Sequence, residues 1–191
     1  MSETVIEKTK TALVVIDLQK GIAGMPTEPY AAADVIANAA KLAKAFRKNG
    51  MPVFLVRVMT APDMKDMLKP ITDVQPMNFQ RGPDWAEIVP EMGPEAGDFI
   101  ITKHQWGAFY GTELDLQLRR RGIDTIVLCG IATNIGVEST ARFAFEYGYQ
   151  QIFAEDATAS RSKDEHDHAM KATFARIGRI RKTDEILTAL G

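Results

Sequence analysis

The chain predicts a three-layer α/β/α sandwich built around a six-stranded, mostly parallel sheet. Three observations carry this. Short, nearly uninterrupted apolar runs rich in β-branched residues recur at 11–17, 52–58, 98–102, 124–129 and 151–156, with a shorter one at 177–180. Such runs suit strands buried on both faces of a parallel sheet. Between them lie stretches with apolar residues at helical spacing, and strand and helix alternate about six times without an internal repeat. That alternation is the signature of parallel pairing through helical crossovers.

The totals agree with one soluble domain spanning residues 1–191. A chain of 191 residues is long enough to bury a sizeable core. With 46% hydrophobic residues, 25% charged residues and a net charge of −2, nothing points to nucleic acid or an anionic membrane as partner. The first eight residues carry acids and no apolar core, so they do not read as a signal peptide, and no run approaches the ~20 apolar residues of a membrane span. The single cysteine permits no intrachain disulfide, and the expected location is the cytoplasm.

Taken in order, TALVVID at 11–17 is the first strand, closed by Asp17 and followed by LQKG. An acid at the carboxyl end of a buried strand sits where open α/β sheets bind ligands; the plainer reading is an acid that caps a turn. A helix opens near Asp34, buries Val35, Ala39, Leu42, Ala43 and Phe46, and stops at Asn49 and Gly50. The second strand is 52–58. From 60 to 97 the periodicity breaks: six of the nine prolines fall here among scattered methionines and aromatics, with one helical turn expected around 85–89. A loop this long covers a site or a subunit contact, or is a surface excursion packed by its own aromatics.

The third strand, 98–102, is followed by Lys103 and a loop with Trp106, Gly107 and Tyr110. A helix from 112 to 121 turns Leu114, Leu118 and Leu116 inward and carries three arginines in its last turn, where cations favour the helix dipole. The fourth strand, 124–129, runs into a Gly-containing turn and a helix starting near Ile135, with Val137, Ala141, Ala144 and Phe145 at helical spacing. The free N–H groups of that helix suit an anion or oxyanion. The fifth strand, 151–156, ends in Glu155 and Asp156. Ser162 and Glu165 form a capping-box start for the next helix, and Thr183 caps the last one, 184–190.

Strand ends of such a sheet gather at one edge, so Asp17, Lys103 and the turn 130–136 can meet there. An acid beside a lysine near a helix N-terminus makes an acid–base pair with an anion pocket. A structural salt bridge explains the same two residues.

Three separated stretches in the right order, LVVIDLQ at 13–19, Lys103 with QWGAFYGT at 105–112, and GIATNIGVESTAR at 130–142, resemble the isochorismatase-like hydrolases, a superfamily of nicotinamidases, N-carbamoylsarcosine amidases and isochorismatases. The resemblance runs from about residue 10 to 182. It implies strand order 3-2-1-4-5-6, a cis peptide between Ile131 and Ala132, and an Asp–Lys–Cys triad with Asp17 and Lys103 in the first two places. The third place falls on Gly136, which has no side chain to attack anything. Cys129 lies inside the expected strand, where apolar surroundings raise a thiol's pKa and make it inert.

With glycine at this place the chain resembles the true isochorismatases of the family. They hydrolyse a vinyl ether without a covalent intermediate, which would make Asp17 the proton donor and Lys103 the group that balances charge. A neighbouring ammonium favours an ionised Asp17, so burial has to raise its pKa against that pull; an Asp17 that stays ionised is a base activating water. The flanking residues 134–140 look more like the amidase branch, so the substrate is not carried over. Gln80 and Arg81 are candidates for a substrate carboxylate, Trp106 and Tyr110 for pocket walls, and Ala132 and Thr133 for the floor. No metal or cofactor is expected: residues 57–72 hold none of the histidines of the nicotinamidase metal site, and His166 and His168 read as a solvated helix face. The resemblance also implies a homo-oligomer, a dimer or tetramer. Two functions follow: a hydrolase of a small anionic, carbonyl or enol-ether compound, or a protein that keeps the pocket only to bind or assemble.

Overall fold

Six parallel strands in the order β3-β2-β1-β4-β5-β6 form one sheet in the computed structural model, which describes residues 5–74 and 81–191. β1 (Thr11–Ile16) is buried along its whole length between β2 (Val53–Val58) and β4 (Thr125–Ile131). β3 (Phe99–Lys103) pairs with β2, β5 (Gln150–Ala159) with β4, and the short β6 (Arg179–Arg181) with β5. This is the order that the family resemblance implied and the parallel pairing expected from the helical crossovers.

The sheet's two faces divide the core, because side chains alternate along a strand. Leu13, Val15, Val53 and Leu55 pack against α2 (Ala32–Lys48) and α7 (Thr183–Leu190). Ala12, Val14, Ile16, Phe54 and Val56 point the other way, toward α3 (Leu114–Arg120), α4 (Glu138–Glu146) and the turns after α5 (Lys163–His168). The helix faces match the sequence reading at Val35, Ala39, Leu42, Ala43 and Phe46. They do not match at Leu116 and Phe145, which are 46% and 50% exposed; both lie just off a stripe too narrow to take them.

Several boundaries moved for physical reasons. β3 extends one residue to include Lys103, so this lysine is held by the ladder rather than by a loop. β5 does not stop at Glu155 and Asp156: its register with β4 shifts between Leu128 and Gly130, and the strand resumes through Thr158 and Ala159. The two acids therefore sit within the irregularity. The helix expected from Ile135 begins as a π-helical turn, Thr133–Val137, and becomes α-helical only at Glu138. The turn expected around 85–89 lies slightly earlier, with Trp85 N donating to Gly82 O at 3.1 Å and Glu87 N to Asp84 O at 2.9 Å; Ile88 then bridges to Gln19, and a separate 3₁₀ turn follows at Pro90–Met92. A four-residue helix, α1 (Lys20–Ala23), had no signal in the sequence. Lys182, not Thr183, is the cap of α7; the Thr183 amide and hydroxyl both donate to Asp156 Oδ1, at 2.7 and 2.8 Å. No helix among the described residues is long and apolar enough to cross a membrane.

Candidate active site

The rim of the sheet brings Asp17, Lys103 and Gly136 together. Asp17 follows the last residue of β1, its amide still donating to Val56 O at 2.9 Å, but its φ of +52° takes it out of the extended conformation. Aspartate tolerates this left-handed region better than most residues. Lys103 Nζ lies 2.8 Å from Asp17 Oδ2, and the two side chains are only 1% and 8% exposed. The same ammonium donates to the Trp106 carbonyl. Asp17 Oδ1 is buried with no hydrogen-bond partner among the described residues. Burial pushes the Asp17 carboxyl up to about 6, against the pull of Lys103.

Gly136 faces this pair directly. A Cβ there would stand 2.9 Å from Ile16 Cγ2, 3.0 Å from Asp17 Oδ2 and 3.1 Å from Lys103 Nζ. The space beside the ion pair is thus as wide as a glycine and no wider. The turn reaches this position because Gly130, one residue before the end of β4, has φ +120° and a Cβ there would lie 2.0 Å from Ile16 O; only glycine lets β4 run so close to β1. The Ile131–Ala132 peptide that follows is cis.

Two buried threonines hold the turn, and of these Thr140 was not singled out in the sequence. Thr140 Oγ1 donates to Gly136 O at 2.7 Å and accepts from Ala108 N at 3.1 Å, so it ties the turn to the loop after Lys103. Thr133, expected on the pocket floor, is fully buried, with Oγ1 2.9 Å from His166 Nδ1. His166 is itself 1% exposed, which overturns its reading as a solvated surface residue; His168 is exposed, as expected. The i, i+2 spacing places the two histidines on different helix faces, and the composition of the helix hides which one turns inward. Ala132, partly exposed, lies at the head of the same turn.

Trp106 and Tyr110 stand farther out, 63% and 69% exposed. With Leu68, Pro70, Gln105, Gly107, Ser139 and Phe143 they line an open, mainly apolar cleft of about 440 Å³. Asp17, Lys103 and Gly136 do not line it; Trp106, which does, also accepts from Lys103 through its carbonyl and so joins the two. Arg81 Nη1 donates to Thr60 Oγ1 at 2.6 Å, and its guanidinium stacks 4.5 Å from the Trp85 ring. It is therefore engaged within the long loop rather than turned to the ion pair. Gln80 lies outside the described residues. The loop is fastened to the rim by Gln19, which is fully buried: its amide nitrogen donates to Val58 O at 3.0 Å and Trp85 O at 3.2 Å, and its oxygen accepts from Val58 N at 2.8 Å. Among the described residues, no three His, Cys, Asp or Glu side chains gather closely enough to hold a metal. The thiol of Cys129 is buried, and burial pushes it up to about 12.

The chain is 55% identical over 184 residues, 95% of each partner, to the uncharacterized isochorismatase family protein YwoC of Bacillus subtilis. The structure of an isochorismatase family protein from Burkholderia thailandensis superposes with a TM-score of 0.94 at 44% identity, covering 99% of both chains. An N-carbamoylsarcosine amidase from Thermoplasma acidophilum is similar at 32% identity and a TM-score of 0.75, over 92% of this chain and 97% of that one. The isochorismatase domain model matches residues 11–185, and with these relatives it establishes that the chain belongs to the isochorismatase family of hydrolases.

Proposed function

We propose that this protein hydrolyses a small anionic, carbonyl or enol-ether compound through the Asp17–Lys103 pair, without a nucleophilic cysteine. The observation that carries the reading is Asp17 Oδ1, buried at the rim and unpartnered among the described residues, on a carboxyl whose other oxygen is held by Lys103. A carboxyl raised to about 6 keeps a usable protonated fraction near neutrality.

On a vinyl ether the steps balance as follows. Asp17 gives its proton to the terminal alkene carbon, and the electron pair of the double bond forms the new C–H bond. Water adds to the resulting oxocarbenium carbon and returns a proton to the Asp17 carboxylate. The hemiketal then collapses to a ketone and an alcohol. Lys103 balances the carboxylate while it is charged, and Gly136 leaves the space beside the pair free of a side chain. Trp106 and Tyr110 flank the approach, and Arg81 is available to a substrate carboxylate if it leaves Thr60. No step needs Cys129. We also expect a homo-oligomer, dimer or tetramer, to be found by light scattering.

A protein that binds a ligand without converting it is the rival, favoured by how tightly the ion pair is sealed from the 440 Å³ cleft. A thermal-shift and turnover screen over vinyl ethers and small amides separates the two. Turnover lost in both Asp17→Asn and Lys103→Ala supports the hydrolase; a tight ligand that is never converted supports the rival.

A further inference from the structure

The turn that presents Gly136 to the ion pair is braced from behind by a polar cluster with no part in the chemistry proposed above. His166 Nδ1 meets Thr133 Oγ1 at 2.9 Å, and its Nε2 faces Glu155 Oε1 at 3.5 Å. Glu155 accepts from the Tyr30 hydroxyl at 2.9 and 3.0 Å and pairs with Lys182, whose ammonium also donates to Tyr30 Oη at 2.6 Å. The Tyr30 ring stands edge-on to the imidazole, centroids 6.1 Å apart. Three segments distant in sequence thus converge on one imidazole that is 1% exposed, and Lys182 from a fourth secures two of them.

A buried imidazole is costly unless both of its nitrogens have somewhere to point. Here Nδ1 pairs with the first residue of the π-helical turn, while Nε2, which has no hydrogen-bond partner among the described residues, faces a carboxylate that is itself fixed. Burial works to raise the Glu155 carboxyl, but the nearby His166 and the hydrogen bonds from Lys182 and Tyr30 overcome it and hold it at about 2, so it stays anionic across the ordinary pH range. The neighbouring Asn134 is braced in parallel, because Ser160 Oγ bonds both its side chain and Glu165 Oε2.

We infer that His166 is a positioning residue: it carries the fixed geometry of the Glu155–Lys182–Tyr30 cluster through Thr133 into the turn, and so sets where Gly136 stands relative to Asp17 and Lys103. Two backbone bonds within the turn report on it. The Ile135 and Val137 amides both donate to Ala132 O, at 3.1 and 3.2 Å, and they exchange with solvent only when the turn opens.

The experiment is amide hydrogen exchange on the full chain with the variants His166→Ala, His166→Asn and Thr133→Val and the first-and-third double variant, paired with carboxyl carbon-13 titration of Asp17. The expected result is exchange at Ile135 and Val137 at least tenfold faster in His166→Ala and in Thr133→Val, with β1 and β4 unchanged. The double variant should be no worse than the more affected single variant, and His166→Asn, whose side-chain amide reaches the Nδ1 position, should restore protection. The Asp17 midpoint should fall toward that of an ordinary aspartate wherever the turn opens. Unchanged exchange in the turn, a uniform rise over the sheet, additive effects, or an Asp17 midpoint that stays put while the turn opens would each overturn the inference. If His166→Ala does not fold, Thr133→Val removes the same bond at nearly constant volume and decides the matter. The inference rests on the ion pair being the functional site, but no readout needs a substrate. A failed turnover screen therefore leaves this test standing.

Discussion

Asp17 Oδ2 and Lys103 Nζ lie 2.8 Å apart, yet Asp17 is pushed up to about 6 rather than pulled below its ordinary value of 3.8. Burial outweighs the ammonium at this carboxylate. A pair in which desolvation prevails is poised to exchange a proton near neutrality, unlike a salt bridge that serves only to hold two strands.

The first prediction concerns pH and stability. A folded-state value raised from 3.8 to about 6 means that the native protein binds this proton more tightly than the unfolded chain does. The contribution of Asp17 is thus most favourable below about pH 4 and is lost as pH rises to about 6. Comparing urea unfolding of the wild type and Asp17→Asn from pH 4 to 7 should show the wild type losing stability relative to the variant over that interval. A constant difference would contradict it.

The same value predicts the pH dependence of turnover. With Asp17 as proton donor, kcat/KM should fall about tenfold per pH unit above about 6. A profile that rises through pH 6 to a plateau would assign it the role of base.

Gly136→Ala tests the space beside the pair. The new Cβ would crowd Ile16, Asp17 and Lys103 at 2.9–3.1 Å, so these side chains have to shift by a few tenths of an ångström and substrate loses that space. Turnover should drop at least tenfold, about 1.4 kcal/mol in the barrier. For the same reason Gly136→Cys should not simply install an amidase. Wild-type kinetics in Gly136→Ala would show that the site lies elsewhere.

Cys129 should be inert. Its thiol is fully buried and pushed up to about 12, so alkylation of the native protein should leave it unlabelled and activity intact. Cys129→Ala should cost about 1 kcal/mol of stability, from the atom removed, without loss of turnover. Inactivation that follows labelling of this sulfur in a folded protein would contradict the mechanism.

Gln19 fastens the long loop to the rim, and Gln19→Leu would remove the side-chain partners of Val58 N and Val58 O, while the Trp85 carbonyl keeps its bond from the Gly21 amide. Buried groups left unpaired cost roughly 1–3 kcal/mol each. Chemical denaturation should therefore show a loss of about 2–4 kcal/mol, and limited proteolysis should cut sooner in 81–89. A loss under about 0.5 kcal/mol would show that the amide bonds are dispensable.

The strands of this chain were legible because burial on both faces leaves runs such as LVVI with no polar interruption, and parallel order follows from helices between them. Asp17 and Lys103 were legible as charges at strand ends. What escaped was set by contacts between distant segments. His166 sits in a helix of charged residues, and nothing local shows that it faces Thr133, 33 residues away. Glu155 and Asp156 read as a strand's end because the register shift between Leu128 and Gly130 belongs to a pair of strands, not to either one. The π-helical turn likewise follows from where Gly136 must stand, and Arg81 from a tryptophan close enough to stack on.

The most direct test of the account is turnover by Asp17→Asn, assayed on the best vinyl ether or amide that the wild type converts. The variant keeps the shape of the side chain and removes its acid, and a loss of about 10²–10⁴-fold with the fold intact is predicted. Turnover equal to that of the wild type would contradict the assignment of this carboxyl as the reacting group.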